Sequence, residues 1–65
     1  MDIEINGKQT TVSAATVSLL TEELGIPASG TAIAVNGTMV PRTEWQAKSL
    51  KEGDKVLIIR AACGG

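Results

Sequence analysis

Lys55-Val56-Leu57-Ile58-Ile59-Arg60 sets four large apolar residues in a row between two charged ones, near the end of a 65-residue chain. An edge strand interrupts such a run with charges or turns, whereas a strand flanked on both sides tolerates it, so this segment is expected in the middle of a sheet. The N-terminus supplies a neighbour. Asp2-Ile3-Glu4-Ile5 alternates polar and apolar residues, Asn6-Gly7 offers the positive-φ pair of a tight hairpin, and Lys8-Gln9-Thr10-Thr11-Val12 returns as a β-rich strand. If the last strand lies beside the first, the connection between them is long enough for the two to run parallel.

That connection holds the remaining elements. Val17, Leu20 and Leu24 recur at spacings of three and four, with Thr16 placed to cap the start and Gly25 to take the left-handed C′ position, so residues 16–24 form an amphipathic helix. Ile26 is placed for the apolar contact of a Schellman ending, and Pro27 cannot continue the helix. Residues 31–35 alternate again, Asn36-Gly37 repeats the hairpin signal, and Thr38-Met39-Val40 makes a short return that Pro41 ends. Asn36-Gly37-Thr38 also fits the glycosylation pattern by letter; Asn-Gly between two strands makes it a turn. Thr43 is expected to cap a short helical turn over residues 44–47, Trp45 to close one end of the core, and Glu52-Gly53-Asp54 to turn into the last strand. A mixed sheet of four or five strands with one main helix packed on one face buries these stripes: an α+β, β-grasp arrangement. Its expected core is Ile3, Ile5, Val17, Leu20, Leu24, Ile33, Val35, Val40, Trp45, Leu50, Val56 and Ile58. Residues 1–60 form the domain and 61–65 a flexible tail.

The inventory of side chains narrows the chemistry. There is no His and one Cys, which excludes a Ser-His-Asp or Cys-His relay and a structural zinc site, so no metal ligand set is expected. A chain of this size buries only about 60% of its unfolded surface, too little for a deep substrate cavity. Six basic and seven acidic residues, interspersed, lack the footprint of a nucleic-acid binder. The single Cys forms no internal disulfide, Met1-Asp2-Ile3-Glu4 does not open like a signal peptide, and the apolar run 56–59 is too short to cross a bilayer. A cytoplasmic location with no membrane partner is the expectation.

Two places are candidates for function. Ala61-Ala62-Cys63-Gly64-Gly65 contains nothing large enough to anchor it, and at roughly 3.3 Å per extended residue it reaches about 16 Å, far enough to carry its carboxylate into a partner's channel. Glycine at Gly64 and Gly65 threads a constriction that stops any side chain. The α-carboxylate, with an ordinary pKa of about 3.5, is an anion and a poor electrophile until a nucleotide activates it. With Gly at about 7% of residues, a Gly-Gly end arises by chance in only about one chain in 200. The second place is the sheet face turned away from the helix. If Val56 and Ile58 point to the core, period two sends Leu57 and Ile59 outward, Ala32 and Ala34 share that face, and the patch is a candidate docking surface. Arg42 is a candidate to pair with a partner's carboxylates; Pro41 and Trp45 have structural reasons as strand end and core lid. A thiol at Cys63 can in principle attack an activated carboxylate or capture sulfur, but a tail Cys is more often a small residue without a role.

Thr16-Val17 at the helix start, Ala32-Ile33-Ala34-Val35-Asn36, Val40-Pro41-Arg42 with Trp45 three positions later, Gly53-Asp54 and Gly64-Gly65 together resemble the ThiS family of sulfur carriers, over nearly the whole chain. Cys63 departs from the pattern, which has a small or aliphatic residue without a thiol there. The resemblance implies a ubiquitin-like β-grasp domain and no catalytic residue. It implies that a ThiF-like, E1-type adenylyltransferase uses ATP to adenylate Gly65, the carrier binding no cofactor itself. A sulfur donor such as a cysteine desulfurase then completes a Gly65 thiocarboxylate, whose sulfur passes to a ThiG-like thiazole synthase for the thiazole of thiamine. The alternatives are a MoaD-like carrier for molybdopterin, tungstopterin or cysteine synthesis, and a ubiquitin-like modifier or an interaction module with an inert tail.

Overall fold

A computed structural model describes residues 1–60. The strands are β1 (Asp2–Ile5), β2 (Lys8–Thr11), β3 (Thr31–Val35), β4 (Thr38–Val40) and β5 (Lys55–Arg60), with one helix, α1 (Val17–Leu24), and a 3₁₀ turn (Arg42–Glu44). They form a single sheet in the order β2-β1-β5-β3-β4. The apolar run is therefore the central strand. It lies parallel to β1, with Glu4 opposite Lys55 and Ile5 opposite Val56, and antiparallel to β3 along its whole length, from Val35 opposite Val56 to Thr31 opposite Arg60. Both Asn-Gly pairs form the expected hairpins: Asn6 and Gly7 have φ of 50° and 82°, Asn36 and Gly37 of 52° and 84°.

Local chemistry sets the helix ends. Thr16 Oγ1 accepts the Leu19 N–H at 3.2 Å, and Gly25 sits at φ 70° with its N–H on Glu22 O while the Ile26 N–H reaches Thr21 O at 2.9 Å. This pair of bonds is the Schellman motif. At the other end the Val17 and Ser18 N–H groups donate to Lys48 O and Trp45 O, which seats the segment after the 3₁₀ turn on the helix start.

One face of the sheet packs against α1. Ile3, Val17, Leu20 and Ile33 are fully enclosed, joined by Val12, Ala14, Val35, Val40, Trp45, Leu50, Val56 and Ile58. Trp45 closes one end as expected, its indole N–H donating to Val40 O at 2.9 Å. Two expected core residues lie differently. Leu24, in the last turn of an eight-residue helix, is 38% exposed; the chain reverses at Gly25 and Ile26 packs against the core instead. Ile5, in the final position of β1, is only partly buried. Thr43 does not cap a turn over 44–47: the turn begins at Arg42, directly after Pro41 at φ −60°, and has no side-chain cap. A proline already fixed near the helical φ starts a turn without one. No helix among the described residues is long and apolar enough to cross a membrane.

Candidate functional site: the uncovered sheet face and the strand that carries the terminus

Opposite α1 the sheet has no second layer among the described residues. Register decides what that face displays. Ala34 stands between Met39 of β4 and Leu57 of β5, and Ala32 stands beside Ile59. Leu57 and Ile59 are about half exposed, at 49% and 50%, and Met39 is 58% exposed. Ala34 has the expected side of the sheet but not the expected exposure. At 7% it is nearly covered, because a methyl group between two longer side chains becomes a floor rather than a contact point. Met39 completes the patch and was legible: Val40 is a core residue, so period two turns Met39 outward. Met39 on β4 and Leu57 on β5 flank Ala34 of the strand between them, so the three border one apolar face, in contrast to singly scattered side chains.

The patch has a charged margin. Glu4 and Lys55 face one another in register on the same side of the sheet as Leu57, and with Ala34 and Leu57 they border a shallow depression that reaches the two hairpin tips. Arg42 is elsewhere. It is exposed in the 3₁₀ turn and borders an open groove with Ser18, Thr21, Glu22 and Trp45, so it joins the helix side of the molecule rather than the Leu57 patch.

The start of β5 is held by its polar neighbours. Asp54 accepts the Asn36 Nδ2–H at 3.0 Å and the Lys51 N–H at 2.8 Å, and the Lys55 N–H donates to Asn36 Oδ1 at 2.9 Å. Partial desolvation of Asp54 acts to raise its pKa, but the Asn36 amide, the Lys51 N–H and the charges of Lys48 and Lys51 outweigh it and hold the carboxyl below its usual 3.8. Among the described residues no cluster of three or more His, Cys, Asp and Glu is placed to hold a metal.

Gly65, Gly64 and Cys63, the residues expected to carry and thread the terminus, lie outside the described residues. What the fold does define is their starting point. Arg60 ends the central strand five positions before Gly65, and Leu57 and Ile59 sit on that same strand.

Known proteins share this fold. The ThiS family model matches residues 3–65. The Sulfur carrier protein ThiS of Escherichia coli K12 is 36% identical over 50 residues, which span 77% of this chain and 76% of that protein. The crystal structure of the thiamine biosynthesis protein ThiS from Geobacter metallireducens aligns over the whole of both chains with a TM-score of 0.83 at 29% identity. A solution structure of a thiamine biosynthesis protein from the same organism gives 0.82 at 30% identity, covering all of this chain and 88% of that one. With its five-stranded sheet, single main helix and Gly-Gly end, the chain belongs to the ThiS family of ubiquitin-like β-grasp proteins, small carriers rather than enzymes.

Proposed function

We propose that this chain is a sulfur carrier of thiamine biosynthesis whose working group is the Gly65 carboxylate. A ThiF-like, E1-type partner transfers the adenylyl group of ATP to that carboxylate and releases pyrophosphate. The resulting mixed anhydride has AMP as a good leaving group; a persulfide from a donor of the cysteine desulfurase kind attacks the Gly65 carbonyl and displaces it. A thiol then cleaves the S–S bond of the acyl disulfide, supplying the two electrons and leaving as the mixed disulfide with the donor. The Gly65 thiocarboxylate is then the nucleophile that passes sulfur to a thiazole synthase. ATP is bound by the partner, and no cofactor by the carrier.

The chain's own contribution is presentation. The observation that carries the reading is that the strand leading to Gly65 is the central one, paired on both sides, and displays Leu57 and Ile59 on the uncovered face, with Met39 on the far side of Ala34. A partner that grips this face holds the root of the tail, and Gly64 passes where a side chain would not. Ala34 serves as floor. Arg42, on the other side, is left for a different contact, and nothing in the chemistry requires Cys63.

Intact mass after incubation with ATP, the cognate activating enzyme and a sulfur source tests the proposal. The expected result is the gain of one oxygen-to-sulfur exchange, mapped to Gly65 and absent from a chain lacking that residue. An unchanged mass with a competent enzyme would sink it, and an isopeptide on a target lysine would make the chain a modifier instead.

A further inference from the structure

Asn6 does more than turn the first hairpin. In a parallel ladder alternate residues of one strand direct both their N–H and C=O toward the same neighbour. Val56 does so toward β1, its carbonyl accepting the Asn6 N–H at 2.9 Å, and Ile58 is the next residue of β5 with that orientation. Yet β1 ends at Ile5, and at Asn6 the backbone has already swung into the turn with φ 50°. The buried Ile58 therefore faces a place where β1 has no peptide group to offer.

The Asn6 side chain supplies one. Its Oδ1 accepts the Ile58 N–H at 2.7 Å and its Nδ2 donates to Ile58 O at 3.2 Å. A carboxamide has the same donor and acceptor as a peptide unit, so it extends the β1–β5 ladder by one step after the strand itself has turned away. The turn alone does not require this residue. Gly-Gly or Asp-Gly serves a type I′ turn as well, but neither offers both a donor and an acceptor to Ile58.

We propose that Asn6 is a positioning residue for the reactive terminus. By clamping Ile58 on the β1 side while β3 pairs along the other edge of the strand, the carboxamide fixes β5 two residues before Arg60, the point from which the chain runs to Gly65. The role rests on the sulfur-carrier reading, because it concerns delivery of the Gly65 carboxylate to the activating partner.

The test compares Asn6→Gly with Asn36→Gly. Each keeps a turn residue that accepts positive φ and removes one side-chain amide from β5, the first at Ile58 and the second at Lys55 and Asp54. Backbone hydrogen exchange on the free chain, and steady-state loading of sulfur by the activating partner, are measured where all variants are folded. Asn6→Gly is expected to lose protection at the Ile58 amide and to lower kcat by about tenfold with little change in KM, since misplacing a reacting group acts on turnover. Asn36→Gly is expected to retain Ile58 protection and kcat. Asn6→Asp keeps the acceptor and loses the donor, so it should fall between wild type and Asn6→Gly. Wild-type kcat in Asn6→Gly, equal losses in both glycine variants, or unchanged Ile58 protection overturns the positioning role while sulfur loading of the wild type stands. A wild-type chain that takes up no sulfur overturns the role together with the reading beneath it.

Discussion

Asn36 and Asp54 illustrate how single residues start the central strand at the right place. The Asn36 carboxamide bridges from the second hairpin to Asp54 Oδ1 and the Lys55 N–H, and the other Asp54 oxygen holds the Lys51 N–H, so one carboxylate ties a hairpin tip to the turn that launches β5. Both bonds favour the ionised form, and its pKa in the folded chain is lowered. The direction of the pH dependence follows: the stabilisation is complete above the unfolded carboxyl's pKa and is lost as pH falls through the lower folded value. Asp54→Asn should therefore narrow the gap in urea midpoint between neutral and acid solution. A variant whose midpoint declines with acid as steeply as wild type would remove Asp54 from this role. The same residue scale explains what sequence reading missed. Asn6 was legible as a turn residue because Asn-Gly is a local signal. Its hold on Ile58 was not, because the partners are 52 positions apart and only the assembled sheet brings them together.

Elements were most legible where their signals were adjacent in the chain. Thr16 and Gly25 bracket α1, and both hairpins bend at their Asn-Gly pairs, because caps and positive-φ turns are decided within a few residues. Gly25 is the sharper case. A Cβ there would meet nothing within 4 Å, so its requirement is the left-handed φ of 70° rather than space. Gly25→Ala is expected to cost about 1 kcal/mol through that φ alone, seen as a lower urea midpoint with an unchanged slope. A loss of several kcal/mol would point to packing instead. Periodicity was less reliable at element ends. It assigned Leu24 to the core by extending the helical stripe into a last turn where Ile26 takes over the packing. It passed over Ala14, buried in the connection before α1, because no repeat marks a residue held there by the fold, and over Val12, read as the end of the second strand and buried one residue beyond β2. Thr21 was also missed. A polar residue is buried at low cost when its hydroxyl is satisfied, and Thr21 Oγ1 donates to Ser18 O at 2.7 Å.

Across the whole molecule, one strand divides its labour between the two faces of the sheet. Val56 and Ile58 are buried against the α1 side, while Leu57 and Ile59 between and beyond them remain half exposed. The apolar run that identified β5 as central thus contains two kinds of residue: one pair folds the domain, and the other has no structural debt to it. Neighbours in sequence should then respond in opposite ways. Ile58→Ala removes atoms from the enclosed core and should cost about 2–4 kcal/mol, with loading by the activating partner kept at temperatures where the variant is folded. Leu57→Glu puts a charge on the uncovered face and should leave stability within about 0.5 kcal/mol of wild type. On the proposed function it should nonetheless prevent adenylation of Gly65 by raising KM, since an unpaired charge in an apolar contact opposes the partner's approach. Urea unfolding and steady-state adenylation on the two variants separate these effects. If Leu57→Glu is adenylated like wild type, the partner grips this carrier elsewhere, and the Arg42 groove on the opposite side becomes the surface to mutate next.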